Sequence, residues 1–322
     1  MRMAKVLEYN ATVSARDDLE DTLAVFKIKP DSVQGKRDDA GHWFVPGQYL
    51  TIGMNREVVE GEDDPRPVSV RRPMSIASAP EEGDTCEFYI RYVNHPESDL
   101  PLTHQMWPIK VGDRMYLRSV ATGKFTLPDT VGADDGRLKV MVAAGTGLAP
   151  FISIARSRIL RDPNARLDDL AILHGASYAS SLGYIDELKR MRDEHGLRYV
   201  PTVSRPKECP GWDGAHGRVE ALLQAERLEE TEAAMGVEAG TLRPDKAAIL
   251  ICGLQGTIAE TIRGLATRGF IPENRRLRRG LQVDESVPSS LFWEQYDTTP
   301  VLDIKDEALM GSLRDLINNA NK

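Results

Sequence analysis

Three short segments carry residue types and spacings that can do chemistry. The first is Ala144-Gly145-Thr146-Gly147-Leu148-Ala149-Pro150-Phe151. Glycines let backbone N–H groups come close to a pyrophosphate, and a proline suits the first turn of a following helix. No Lys-Ser/Thr pair follows to hold a nucleoside triphosphate and Mg²⁺, and Pro150 stands where a G-x-G-x-x-G fingerprint needs its third glycine. Dinucleotide phosphate binding fits this turn; a tight strand–helix turn without a ligand is the plainer alternative. The second segment, Arg72-Pro73-Met74-Ser75-Ile76-Ala77-Ser78, offers a guanidinium fork and two hydroxyls to a phosphate and the polar edge of a ring. Read alone, it favours an ordinary strand with a surface arginine. The third is Cys252-Gly253-Leu254-Gln255-Gly256. A thiol at a strand end can face a ligand, but a buried free cysteine also serves simply as a small hydrophobe.

The elements around these segments change character along the chain. Up to about residue 130, short β-prone runs (Thr22–Ile28, Gln48–Gly53, Cys86–Val93 and Asp113–Leu117) are separated by Pro, Gly and Asp clusters. That pattern predicts a small antiparallel barrel or sandwich, with the acidic stretch Glu60–Pro67 as a mobile loop. From about Asp134, strands at Leu138–Ala144, Leu170–Leu173, Tyr199–Val203 and Ala247–Cys252 alternate with helices at Phe151–Leu160, Tyr184–His195, Arg218–Ala234 and Ile258–Arg268. Leu291–Tyr296 reads as a fifth strand. Alternating strand and helix predicts parallel βαβ units with ligands at the carboxyl ends of the strands. The expected division is therefore a domain at 1–133, a second at 134–299 and a tail at 300–322, helical from the spacing of Leu309, Leu313 and Leu316.

Composition narrows the class. The 322 residues are 41% hydrophobic and 28% charged, enough for about two domains without disulfides or metals. No unbroken apolar run approaches the ~18 residues of a membrane helix. The net charge of -8, from 49 acids against 41 bases, disfavours nonspecific nucleic-acid binding. Cys86, Cys209 and Cys252 are too few and too far apart for a disulfide framework or a four-thiolate cluster. His42, His95, His104, His174, His195 and His216 show no metal-ligand spacing, so no metal is expected. The N-terminus has no signal or transit pattern, which points to the cytoplasm.

Taken in order, the three motifs resemble the ferredoxin–NADP reductase family, which joins an FAD-binding antiparallel barrel to a parallel α/β NADP-binding domain. Arg72–Ser78 resembles its flavin motif, Gly145–Phe151 its nicotinamide and pyrophosphate loop, and Ile251-Cys252-Gly253-Leu254-Gln255-Gly256 its Cys-Gly-Leu-Lys-Gly segment. Val203-Ser204-Arg205 resembles the Val-Ser-Arg that grips the 2′-phosphate of NADP. The resemblance runs from about residue 45 to 297. It implies that Arg72 pairs with the FAD pyrophosphate, Ser75 hydrogen-bonds near flavin N5, and Tyr89, Ile90 and Arg91 line the flavin. Pro101, Leu102 and Thr103 then lie beside the FAD phosphates. Gly145, Thr146 and Gly147 meet the dinucleotide, with Cys252 and Gly253 beside the nicotinamide. Ser204 and Arg205, helped by Arg218, favour NADPH over NADH, because a guanidinium fork binds a phosphate bidentately; a plain loop cation is the alternative. Phe292-Trp293-Glu294-Gln295-Tyr296 resembles the plant-type ending. Glu294 is then the carboxylate near the reacting rings and Tyr296 the aromatic that covers the flavin and moves for nicotinamide, unless both merely pair at a sheet edge.

Two departures stand out. Met74 replaces the family's usual tyrosine, which alters the flavin's inner face and hence its potential. The chain also runs 26 residues beyond Tyr296, where the plant-type enzymes stop. The adenine-stacking tyrosine has its counterpart near Gly214, with Trp212 as a stand-in. Arg275, Arg276, Arg278 and Arg279 form a basic cluster that an acidic ferredoxin or flavodoxin would meet faster, or else a solvated loop. The expected function is an FAD enzyme moving electrons between NADP(H) and ferredoxin or flavodoxin. The alternatives are a reductase subunit of a multi-component oxygenase or similar enzyme, and a non-catalytic nucleotide-binding redox sensor.

Overall fold

Strands form first where apolar side chains alternate with solvated ones. They are β1 (Ala11–Glu20), β2 (Leu23–Pro30), β3 (Tyr49–Val58), β4 (Arg66–Ser75), β5 (Cys86–Arg91) and, after the short helix α1 (Leu102–Met106), β6 (Arg114–Leu117). All pair antiparallel in the order β4-β3-β6-β1-β2-β5. Beyond β4, Ala77 N donates to Glu87 O at 2.8 Å and Glu87 N to the Ser78 hydroxyl at 3.0 Å, so the barrel is joined past the end of β4. Among the described residues β4 itself pairs with β3 alone. Phe26, Leu50, Ile52, Ile76, Phe88 and Met115 fill the interior. Each contributes roughly 1.5–3 kcal/mol by leaving water. Two strands differ from expectation. In β1 only Ala11 and Val13 are buried, and half of the other residues are charged. β4 carries Pro67 and Pro73, which an edge strand tolerates because its outer N–H groups need no partner.

This computed structural model describes residues 6–33, 35, 37–58, 66–96 and 99–321. The loop expected at 60–67 lies outside them up to residue 65, and Arg66 and Pro67 already belong to β4. The chain separates into Met1–Thr126 with Ile152–Arg161, and Leu127–Phe151 with Asp162–Lys322. The boundary placed at 133/134 thus falls at 126/127. Residues 152–161 group with the first unit through Ser153 Oγ donating to Ser78 O (2.7 Å), Arg156 Nη1 to Glu87 Oε1 (2.7 Å) and Arg161 Nε to Glu81 Oε1 (2.5 Å).

From Leu127 the chain runs through α2 (Leu127–Thr130), β7 (Leu138–Ala144), α3 (Ala149–Arg161, grouped with the first unit from Ile152), β8 (Leu170–Ala176), α4 (Ile185–His195) and β9 (Arg198–Val203). There follow β10 (Ala215–His216), α5 (Leu228–Ala234), β11 (Ala247–Gly253), α6 (Gln255–Ala266), α7 (Arg275–Gly280), β12 (Leu291–Gln295) and α8 (Glu307–Ala320). The sheet is parallel in the order β10-β9-β8-β7-β11-β12. From β7 the chain builds outward to β10, then returns to build from β11 on the other side. The carboxyl ends of β7 and β11 therefore flank the point where strand order reverses, the place such sheets bind ligands.

Residues 218–234, expected as one helix, are broken. Two 3-10 turns, Val219–Leu223 and Ala225–Arg227, precede α5, and Gln224 between them is extended with ψ 150°. The Leu223 carbonyl lies so close to Gly264 that a Cβ there would sit 2.3 Å away, and the Thr231 hydroxyl donates to the freed Leu222 carbonyl at 2.6 Å. The tail holds α8, but its buried stripe is Met310, Leu313 and Ile317, whereas Leu316 is 38% exposed. Those residues join the cluster of Ile262, Leu265, Leu277 and Leu281, so the tail belongs to this unit's core.

Candidate functional site

The strand ends at the reversal point carry two of the motifs. Gly145–Leu148 forms a 3-10 turn between β7 and α3, and Gly145 takes φ 55°, a left-handed conformation glycine adopts without strain. Gly147 backs directly onto β11: a Cβ there would lie 2.1 Å from the Cys252 carbonyl oxygen. Cys252 is fully buried and stands opposite Glu294 in the β11–β12 register, with Gly253 opposite Gln295. Burial, and after it the Glu294 carboxylate, push the Cys252 thiol well above its ordinary range, while a hydrogen bond with Tyr296 acts the other way. At neutral pH the sulfur is a neutral thiol, unsuited to nucleophilic work.

Tyr296 spans these strand ends. Its backbone N donates to Gly253 O at 3.0 Å, and its hydroxyl donates to Thr146 O at 3.3 Å. The ring therefore reaches from the end of β12 to the turn after β7, with 42% of the residue exposed. Thr146, Gly147, Cys252, Gly253, Glu294 and Tyr296, scattered over 150 positions of sequence, form one constellation.

The end of β9 carries the second group. Ser204 and Arg205 are exposed, and their backbone N–H groups donate to Ala176 O (3.0 Å) and Ser177 O (3.1 Å). The Arg205 guanidinium lies 5.2 Å from the centroid of the Tyr178 ring and also donates to its hydroxyl. Arg218 has 80% of its side chain exposed, with Glu220 the carboxylate at 4.0 Å. Trp212 lies against Gly214, where a Cβ would come within 2.3 Å of the indole, and its Nε1 donates to Ala215 O at 3.0 Å. Tyr178 was not anticipated, although its place just past the carboxyl end of β8 is the signal that finds it.

In the first unit, α1 lies against β3 and β4. Arg72 is exposed at the edge of β4, with Nη1 donating to Arg71 O at 2.8 Å. Met74 is half-buried against the barrel core, and Ser75 and Tyr89 are buried. The Ile90 and Leu102 side chains lie in that core, and strand alternation puts Tyr89 and Arg91 on the other face of β5. Arg91 donates to the Thr22 hydroxyl at 3.3 Å and lies 3.6 Å from Glu20. Pro101 precedes α1 at its N-cap position, and the Thr103 hydroxyl accepts from Val93 N at 3.3 Å. Gln105 on α1 has both amide atoms buried without a partner among the described residues, which nothing in its sequence context signals.

The basic cluster is neither a loop nor uniformly exposed. Arg275–Gly280 is helical, capped by the Asn274 side chain. Arg278 is buried and donates to the Ser289 hydroxyl (3.0 Å), Val287 O (2.8 Å) and Asp284 O (2.5 Å), so it is spent inside the fold; Arg275, Arg276 and Arg279 are exposed. Among the described residues no group of His, Cys, Asp and Glu could hold a metal ion, and no helix is long and apolar enough to cross a membrane.

An antiparallel barrel and a parallel α/β sheet with its candidate site at the strand reversal define a two-part, nucleotide-binding oxidoreductase class. The family described as oxidoreductase NAD-binding domain matches residues 141–263. Ferredoxin–NADP reductase A of Sorangium cellulosum is 30% identical over 239 residues, covering 70% of this chain and 74% of that protein. The ferredoxin–NADP reductase of Pseudomonas aeruginosa is 28% identical over 273 residues, covering 81% and 90%. The crystal structure of a Neisseria gonorrhoeae ferredoxin NADP+ reductase with bound FAD and NADP shares the fold at a TM-score of 0.65 and 24% identity, covering 89% of this chain and 98% of that one. The chain belongs to the ferredoxin–NADP reductase family.

Proposed function

We propose that this chain is an FAD-dependent NADPH oxidoreductase that exchanges electrons between NADP(H) and a one-electron carrier, a ferredoxin or flavodoxin. The observation that carries the reading is the Tyr296 hydroxyl held between the Thr146 carbonyl and the Cys252 thiol at the reversal point of the sheet. When bound, FAD and nicotinamide supply the redox chemistry, hydride passing between nicotinamide C4 and flavin N5 and single electrons leaving the flavin. The chain's residues bind, orient and shield.

For FAD, the exposed Arg72 fork pairs with the pyrophosphate, and the segment Pro101–Thr103 lies beside it. The Gln105 amide on α1, buried and unpaired among the described residues, supports a polar group arriving in this region, since buried amides are rarely left unpaired. Ser75 hydrogen-bonds near N5, and Met74, Tyr89, Arg91 and the backbone of Ile90 line the ring. For NADP(H), Gly145, Thr146, Gly147 and Gly253 offer backbone to the dinucleotide, and Cys252 and Glu294 flank the nicotinamide. Ser204 and Arg205, with Arg218, take the 2′-phosphate. Exposed Arg275, Arg276 and Arg279 attract an acidic carrier to a protein of net charge -8.

An anaerobic NADPH titration followed by visible absorption tests this reading. A flavin spectrum that bleaches with NADPH, and much less readily with NADH, is the expected result. A colourless protein that fails to take up added FAD refutes it. Presenting ferredoxin, flavodoxin and the iron–sulfur components of oxygenases to the reduced protein then separates a carrier reductase from an oxygenase subunit.

A further inference from the structure

The stretch after Tyr296 grips both ends of one helix. Asp297 Oδ2 accepts from the N–H of Gln255, the first residue of α6, at 2.7 Å; Leu254, at the N-cap position, makes no side-chain cap. Asp297 Oδ1 accepts from Gln295 Nε2 at 2.6 Å and from Thr299 N at 3.0 Å, while Gln295 Nε2 also reaches Thr299 O at 2.5 Å. The Gln255 side chain donates to Val301 O at 2.9 Å. At the far end, Asn321 Nδ2 donates to Gly269 O at 3.1 Å, just beyond the last turn of α6. Between these points Leu302, Met310, Leu313 and Ile317 are buried. Tyr296 is therefore held on one side by β12 and on the other by a strap whose first residue is bonded to both neighbouring segments.

We propose that Asp297 is a positioning residue for the nicotinamide pocket. By capping α6 and tying Gln295 to Thr299, it keeps the Tyr296 ring across the ends of β7 and β11, where an incoming nicotinamide must displace it. The inference rests on the reading above that the nicotinamide enters at Thr146 and Cys252. A ligand that binds only the open arrangement has its affinity reduced by the open fraction. Loosening the strap raises that fraction, so the apparent affinity for NADPH and for NADH rises by the same factor. The adenylate fragment 2′-phospho-AMP never reaches the ring and is unaffected.

The test compares Asp297→Ala, Gln295→Met and Tyr296→Ser in the full FAD-loaded chain. The readouts are KM for NADPH and NADH and Kd for 2′-phospho-AMP. Asp297→Ala should lower both coenzyme KM values about three- to tenfold, in the lower part of the range of coupling between bonded neighbours, and leave the fragment's Kd unchanged. Added to Tyr296→Ser, it should do nothing further. Gln295→Met breaks the strap while leaving the helix cap in place, and carries the test if Asp297→Ala does not fold. Unchanged KM values in the strap variants, beside lowered ones in Tyr296→Ser, overturn the role of Asp297 alone. A weakened fragment Kd in the strap variants also overturns it, because the damage is then general. If Tyr296→Ser itself leaves KM unmoved, the placement of the nicotinamide is what fails.

Discussion

Gly147→Ala should separate coenzyme handling from flavin binding. A Cβ on Gly147 would lie 2.1 Å from the Cys252 carbonyl oxygen and 2.7 Å from its carbon, where ordinary contact starts at 3.4 Å. Neither atom belongs to a flexible side chain: Cys252 is fully buried in β11 and paired on both sides, to β7 and β12. The turn after β7 must then retreat by roughly an ångström, an overpacking that costs about 1–3 kcal/mol. A displacement of that size at a binding turn lowers rate on the order of 100-fold. In stopped-flow measurements under anaerobic conditions, flavin reduction by NADPH should slow by that factor while FAD content stays at the wild-type ratio. Gly256→Ala is the control. Nothing lies within 4 Å of its Cβ position in the first turn of α6, so stability should hold or rise by up to about 1 kcal/mol. A Gly147→Ala protein reduced at the wild-type rate, with an unchanged melting temperature, would refute both the contact and the role given to the turn.

Arg205→Ala should weaken NADPH about 10- to 100-fold, since a hydrogen bond to a charged group is worth about 1.5–3 kcal/mol, and leave NADH nearly untouched; equal losses for both coenzymes would remove the residue from the phosphate site. Burial lowers the His174 pKa from 6.5 to about 3. The unfolded chain takes up that proton below pH 6.5 and the folded chain only near 3, so stability complete above pH 6.5 is lost as pH falls through this window. The loss reaches about 2 kcal/mol at pH 5, and urea unfolding of His174→Gln should show a pH dependence smaller by that amount; identical pH dependence in both proteins would sink the assignment. Arg278→Ala should lower stability by about 1–3 kcal/mol by stranding the carbonyls of Asp284 and Val287. Arg276→Ala should leave stability alone and slow association with an acidic carrier at low salt; the reverse pattern would mean the cluster has been read inside out.

The α/β half was legible because β7, β8 and β11 are, apart from Lys139 and His174, apolar runs buried on both faces, a signal with few rivals. β1 was not, since its two buried residues leave no alternation to read. The glycine turn after β7 and the Cys252 segment could each be found locally, but not that Gly147 presses on the Cys252 carbonyl, which depends on β7 and β11 being neighbours. Charge was the poorest guide. Arg278 reads as surface like its neighbours until the 284–289 loop wraps it, and Asp297 reads as a solvated acid until its carboxylate is found on α6. In both cases the partners include backbone groups whose positions no side-chain pattern encodes.

The short and broken margins of the two sheets bear on how the protein behaves when concentrated. A long, bare strand edge is an invitation for another chain to add itself. Here β10 is two residues long, β4 carries Pro67 and Pro73 beside the exposed Arg71 and Arg72, and the first residue of β12 is bridged by Pro272 and bonded to Ile271 and Glu273. Three of the margins thus discourage edge-to-edge addition through different means: brevity, missing donors with like charge, and a covering segment. The same proline-bearing strand that exposes Arg72 thus also offers a poor template for another chain's strand.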